Sequence, residues 1–167
     1  MGMSVTISAA RAQDAENILK LQYLCYQGEA ALHGDYTIEP LTQTLDDLRA
    51  DLEGGQCFVA RLGDEVVASV RGRIDASGTA RIGKLMVHPR MQRHGLGGRL
   101  LDAIETHFAQ DPAARRFQLS TSGRGDGDMR LYRSRGYAPV RASADGSRLD
   151  LVELEKPAAA GTFVASA

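Results

Sequence analysis

The residues best suited to chemistry are packed into Pro89-Arg-Met-Gln-Arg-His-Gly-Leu-Gly-Gly-Arg99. Arg90, Arg93, His94 and Arg99 supply positive or titratable side chains, and Gly95, Gly97 and Gly98 expose backbone without Cβ atoms. Such a mixture suits an anion, because a chain without Cβ atoms lets amide groups approach it closely. The flanking sequence predicts how the segment is held. An apolar strand, Leu85-Met-Val87, runs into Pro89, which lacks a ladder donor and keeps His88 extended, so the strand ends there. Leu96, Leu100, Ile104 and Phe108 then recur at helical spacing, which starts a helix near Gly95. The glycines therefore stand at a helix N-terminus, where unpaired N–H groups and the positive end of the dipole favour a phosphate.

Two common phosphate motifs do not fit. The loop has no Gly-Lys-Ser/Thr ending, and Leu100 stands where a dinucleotide fingerprint needs its third glycine. Elsewhere, Glu29, His33, Asp35, Tyr36 and Glu39 fall between two helical stretches. Acidic and aromatic groups in one connection suit a cationic amine, and they equally suit a solvated loop. Cys25 and Cys57 have no metal-ligand spacing, so buried thiols and no metal are expected.

These residues need a frame. A chain of 167 residues, 43% hydrophobic and 25% charged, is long enough for one ordinary domain. With a net charge of −1 and its basic residues dispersed, it is a poor general nucleic-acid binder. No apolar run reaches spanning length and no N-terminal apolar core is visible, so a cytoplasmic setting off the membrane is expected. Val5–Ser8 reads as a strand, followed by a helix that Asp14 caps and that fades over residues 28–34. Leu41, Leu45, Leu48 and Leu52 predict a second helix, entered through Pro40 and stopped by Gly54-Gly55. Cys57–Ala60 and Val66–Val70 form strands across a Gly63-Asp64 turn, and a turn at Ser77-Gly78 leads into the strand ending at Pro89. Gly83 in that strand suggests a bulge or a close backbone approach. Phe117, Leu119 and Thr121 alternate as a further strand. A short helix carrying Met129 and Tyr132, capped by Asp126 or Asp128, closes at Gly136. Strands at 137–140 and 149–154 end the fold. The low-complexity tail, 158–167, would fray unless tied down, for instance by pairing Thr162–Val164 with a second copy, so a homodimer is one expectation.

The pattern Val87-x-Pro89-x-x-Gln92-x-x-Gly95-x-Gly97, between a strand and a helix, resembles the acetyl-coenzyme A loop of the GNAT family of N-acetyltransferases. Leu131-Tyr132-Arg-Ser-Arg-Gly136-Tyr137 resembles that family's aromatic segment. The resemblance spans about residues 5–156 and implies one acetyltransferase domain over 1–156 with a tail, 157–167. The implied fold is α+β: a mixed, mostly antiparallel sheet of about seven strands with helices on both faces. It implies acetyl-CoA as cosubstrate, no metal, and cofactor contacts at Met86, Val87, Gln92, Arg93, His94, Gly95, Gly97 and Gly98. By the same resemblance the strand 84–87 diverges from its neighbour, so that the pantetheine arm bonds to it as an added strand. An N–H near Met86 or Val87 then polarises the thioester. Tyr132 would protonate the leaving thiolate, which is reasonable for a phenol of unperturbed pKa about 10.

The implied activity is acetyl transfer to a primary amine, on a small molecule or a peptide, by direct attack in a ternary complex. His88 and Cys57 are then poor candidates for a nucleophile. Glu29, Asp35 and Tyr36 are the candidate acceptor contacts. Two departures stand out. Gly125 occupies the place where many members carry Asn, leaving a backbone group, a water or Ser122 to substitute. No carboxylate lies between Arg81 and His88, where some members place a base, so Glu29, Asp35 and Glu39 are the candidates acting through water. Use of a larger acyl-CoA, an acyl-CoA-binding regulatory module without turnover, and a structural protein that merely retains the loop are the alternatives.

Overall fold

The computed structural model describes residues 4–122, 126–142 and 151–158. The elements are β1 (Val5–Ala9), α1 (Ala15–Cys25), α2 (Gln27–His33), α3 (Glu39–Thr42), α4 (Leu45–Gly54), β2 (Gln56–Leu62), β3 (Glu65–Ile74) and β4 (Thr79–Val87). Then follow α5 (Leu96–Ala109), β5 (Arg116–Ser122), α6 (Asp126–Ser134), β6 (Ala138–Ala142) and β7 (Leu151–Pro157). The strands form one seven-stranded sheet in the order β1-β2-β3-β4-β5-β7-β6. Pairing of β1 with β2, β2 with β3, β5 with β7 and β6 with β7 is antiparallel, while β4 and β5 are parallel. This is the mixed, mostly antiparallel α+β sheet that the resemblance implies.

The chain divides into two compact units, the described residues of Met1–Gly72 with Lys84–Ile104, and those of Arg73–Gly83 with Glu105–Ala167. In the first, Ala15, Ile18 and Leu21 of α1 and Leu48 of α4 pack on Cys57, Val59, Val66 and Met86 of the strands. Burying the Ile, Leu, Val and Met side chains among these contributes about 1.5–3 kcal/mol each. In the second unit the buried residues include Phe108, Phe117, Leu119, Tyr132, Tyr137 and Leu154. Phe117, Leu119 and Thr121 of β5 are all buried as expected, but Gln118 between them is buried too, so the strand does not alternate cleanly. Gly78 turns the chain with φ +84, and a Cβ there would lie 2.7 Å from the Ala113 carbonyl, so glycine is required on both counts.

Several local expectations are corrected. Asp14 precedes α1 but its side chain makes no cap bond. Its carboxylate accepts the Arg11 amide at 2.7 Å and an N–H from each terminal nitrogen of Arg61, at 2.8 and 2.6 Å. A register shift between Ala60 and Arg61 marks where β2 carries that arginine. The first helical stretch breaks at Tyr26, resumes as α2, and stops at Gly34 with φ +64. The second is also two helices. Gln43 is extended, and Thr44 opens α4 with a capping box: its hydroxyl accepts the Asp47 amide and the Asp47 carboxylate accepts the Thr44 amide, both at 3.1 Å. Gly83 faces open space, with no close backbone approach, and the distortion falls on the next residue, Lys84, at φ +50. The last strand runs Leu151–Pro157, while its expected start at 149–150, the Asp145-Gly146 loop and the pairing of 162–164 lie outside the described residues.

Candidate active site

The glycine loop forms as its sequence dictates. His88 donates its amide to the Val67 carbonyl at 2.8 Å, tying the end of β4 to β3. Pro89 then opens a single 3-10 turn, Pro89–Met91, and the His88 ring nitrogen Nδ1 accepts the Arg90 amide at 3.2 Å. Arg93 and Gly95 take the left-handed conformation, with φ +69 and +75, and bring the chain round to the start of α5. The first intrahelical bond runs from the Arg99 amide to the Gly95 carbonyl, 3.1 Å. The amides of Leu96, Gly97 and Gly98 therefore precede the helix ladder, at the positive end of its dipole. Leu96, Leu100, Ile104 and Phe108 are buried, which fixes the helix against the core and with it the position of its first turn.

The loop's side chains are engaged unevenly. Arg90 pairs with Glu65, and Arg99 reaches the Val5 carbonyl at 3.4 Å. The His94 Nδ1 sits 2.9 Å from the Gln92 carbonyl and 3.2 Å from that of Met91, so its N–H is turned onto the loop backbone. Gln92 and Arg93 are exposed. What the loop offers an anion is mainly backbone N–H.

Strand β4 leads to this loop. Its parallel register with β5 covers Thr79–Ile82 against Arg116–Leu119, and β4 runs on through Gly83–Val87. Met86 is 2% exposed, its side chain in the core with Ile18 and Leu48, which leaves its backbone as the part able to meet a ligand. The Cys25 thiol lies 3.5 Å from the Val87 carbonyl and donates to it. Burial pushes that thiol up to about 11, so it stays protonated near neutrality. Burial also raises Cys57, whose sulfur is 3.5 Å from the Ser69 hydroxyl. Neither thiol is a ready nucleophile.

The residues read as acceptor contacts come next. Glu29 is half-buried in the first turn of α2. The Asp35 carboxylate accepts the Thr37 amide at 2.9 Å and the Thr37 hydroxyl at 2.6 Å, a local turn. Tyr36 is 57% exposed. Glu39, weighed in the sequence as a base, is drawn to β4 instead: its Oε1 lies 2.8 Å from Lys84 Nζ.

Beneath it lies a polar network that sequence reasoning missed. Arg71 of β3 donates from one nitrogen to Gln22 Oε1 at 2.9 Å and Gln43 Oε1 at 3.2 Å. Gln22 donates to the Pro40 carbonyl at 2.8 Å, and Gln43 to Asp51 at 2.7 Å. The other Arg71 terminal nitrogen is buried without a hydrogen-bond partner, as is His33 Nε2. Burial lowers the pKa of Arg71 from its ordinary value, with Asp51 only 3.9 Å away to oppose that. The one signal available was Gln22, which falls at helical spacing between Ile18 and Cys25 on the apolar face of α1. A separate cleft of about 370 Å³ lies between Ala10–Ala12, the end of α4 and the start of β2, and neither the glycine loop nor β4 lines it.

In the second unit, α6 carries Tyr132, which is 4% exposed. The Tyr137 amide closes on the Tyr132 carbonyl at 3.1 Å, and Gly136 with φ +92 makes the turn. The two rings meet edge to face at 6.3 Å. Tyr137 donates to Glu105 Oε2 at 2.8 Å, and Lys156 bonds Glu105 Oε1 at 2.7 Å and the Arg135 carbonyl at 2.8 Å. Burial and the Glu105 carboxylate raise the Tyr137 phenol, so it remains a donor holding α6 in place. Gly125 and the side chains of Ser122, Asp126 and Asp128 lie outside the described residues. Among the described residues no group of three His, Cys, Asp or Glu side chains could hold a metal, and no helix is long and apolar enough to cross a membrane.

Comparison with known proteins identifies the fold and the family. Solved structures with the same fold include the PaiA N-acetyltransferase of Thermoplasma acidophilum in complex with coenzyme A, at 15% identity and a TM-score of 0.78, covering 93% of this chain and 99% of that one. An acetyltransferase of the GNAT family from Staphylococcus aureus gives 14% identity and 0.74, covering 92% and 99%. An acetyltransferase from Streptococcus agalactiae gives 22% identity and 0.70, covering 94% and 99%. No curated protein is significantly similar in sequence. The profile of the acetyltransferase (GNAT) family matches residues 16–137, from α1 through the glycine loop to Tyr137, and the chain belongs to that family, whose cosubstrate is acetyl-CoA.

Proposed function

We propose that this protein is an N-acetyltransferase that moves the acetyl group of acetyl-CoA to a primary amine, on a small molecule or a peptide, by direct attack. The observation that carries the reading is the run of amides from Leu96 to Gly98, placed ahead of the α5 ladder by left-handed Gly95. These amides, with those of Arg93 and His94, receive the pyrophosphate. Gln92, Gly95, Gly97 and Gly98 shape the loop around it. The backbone of Lys84–Val87 receives the pantetheine amides, and an N–H at Met86 or Val87 stabilises the oxyanion that develops as the amine adds to the thioester. When the C–S bond breaks, Tyr132 gives the thiolate its proton, a role taken from the Tyr-x-x-x-Gly-Tyr pattern, and the proton shed by the attacking amine passes through water to one of Glu29, Asp35 and Glu39. Glu29, Asp35 and Tyr36 face the acceptor in this reading. The setting is cytoplasmic, and a homodimer through residues 162–167 belongs to the same proposal. Light scattering on a chain lacking 162–167 tests the dimer, which requires a fall in mass.

The activity is tested by following thiol release from acetyl-CoA with a library of primary amines. The expected result is one thiol released per amine acetylated. Coenzyme A binding without turnover on any amine would overturn the reading in favour of a binding module.

A further inference from the structure

Between Arg81 and His88, β4 carries no acidic residue. The fold brings one to it from another element. Glu39, the first residue of α3, sets Oε1 2.8 Å from the ammonium of Lys84. Lys84 stands two positions before Met86, roughly 6–7 Å along the strand. Three observations mark this pair as more than a surface staple. Lys84 holds a left-handed backbone at φ +50, a conformation that is costly for a residue with a Cβ and tends to collect at functional sites. The Lys84 side chain is 21% exposed and that of Glu39 61%, so the carboxylate keeps an open side. The backbone under Glu39 is also fixed: Gln22 holds the Pro40 carbonyl, and the buried Arg71 holds Gln22 and Gln43. A carboxylate carried on a fixed backbone beside the cofactor strand, with its open side in solvent, already binds one primary ammonium at the end of an unbranched alkyl chain.

We propose that Glu39 receives the ammonium of the acceptor, in the place that Lys84 Nζ fills when no acceptor is bound. The acceptor class is then an unhindered primary alkylammonium, chemically like the lysine side chain. This inference rests on the acetyltransferase reading and names its acceptor subsite. Lys84 competes for that carboxylate, so removing either partner has opposite effects on the acceptor. A mere staple would make both removals act in the same direction.

The probe is n-butylamine, the lysine side chain without its backbone, in steady-state assays with acetyl-CoA. Glu39→Gln should raise KM for n-butylamine by about tenfold or more, the effect of losing a charged hydrogen bond, with KM for acetyl-CoA unchanged. Lys84→Asn, which removes the ammonium and tolerates the left-handed backbone, should lower KM for n-butylamine. An unchanged KM for n-butylamine in Glu39→Gln would overturn the inference, and so would a rise in KM in both variants. Failure of the wild type to acetylate n-butylamine while it acetylates other amines overturns this inference and leaves the acetyltransferase reading standing. Failure on every amine overturns both.

Discussion

At the start of α5 the groups offered to a ligand are backbone amides, set by Pro89 and left-handed Gly95, while Arg90 and Arg99 are turned to other partners. Around β3 and β4 of the same unit the geometry rests on side chains instead: buried Gln22, Gln43 and Arg71 hold the backbone that carries Glu39, and Glu39 meets Lys84. A site made of backbone can serve one invariant ligand, because its geometry follows from chain conformation and no single side-chain loss removes it. A site made of side chains can be retuned residue by residue. In the proposed reading the first region holds acetyl-CoA and the second meets the acceptor, and the division says which substitutions should matter.

The largest effect is expected where a backbone site cannot act, in moving a proton. Tyr132→Phe keeps the ring in its contact with Tyr137 and removes the hydroxyl. It should lower kcat by about 10²–10⁴-fold with much less effect on substrate binding. A wild-type rate in single-turnover chemistry would leave Tyr132 as a packing residue.

A smaller effect concerns how the side-chain region is mounted. Asp14 and Arg61 form a bidentate pair with side-chain exposures of only 6% and 13%. Asp14→Ala leaves a nearly buried guanidinium unpaired and should cost about 3 kcal/mol in urea unfolding at pH 7. Coenzyme A affinity should not change, because the loop is held by other contacts. The Arg61 hydrogen bonds hold the Asp14 carboxyl below its usual range. Its contribution is therefore present above the unfolded value of about 4 and is lost as pH falls through the lowered folded value. The stability difference between wild type and variant should shrink in that acid window. A difference that persists there would contradict the linkage.

The smallest effect sharpens the comparison from the other side. Gln92 is exposed, and the loop's anion site is backbone. Gln92→Ala should weaken coenzyme A by no more than about 1 kcal/mol, the ordinary worth of one hydrogen bond. A loss of several-hundred-fold in calorimetry would mean that side chains carry the loop after all.

The same contrast explains what the sequence made legible. Proline, glycine and the Leu96-Leu100-Ile104-Phe108 spacing are local instructions, and β4, the loop and α5 follow from them. The break between α3 and α4 was hidden because Leu41, Leu45, Leu48 and Leu52 keep one helical spacing across it. The cue present was Thr44-x-x-Asp47, whose reciprocal cap is worth about 1 kcal/mol and overrides that spacing. Asp14 looked like a cap because its position is right, but a guanidinium on a distant strand outbids the helix amide. The pairing of Glu39 with Lys84 and the Arg71 network join residues far apart in the chain, with no periodicity to announce them. Such contacts come into view only once the sheet has placed β3 and β4 side by side.

The central claim is that backbone amides at the start of α5 hold the cofactor's pyrophosphate. Titration of coenzyme A into wild type and Gly97→Glu by calorimetry tests it most directly, with circular dichroism confirming that the variant is folded. Gly97→Glu puts a side chain and a negative charge at amides that should face phosphate. The account predicts at least a hundredfold loss of affinity, on the order expected when like charge replaces an anion site. Unchanged affinity in a folded variant would contradict it.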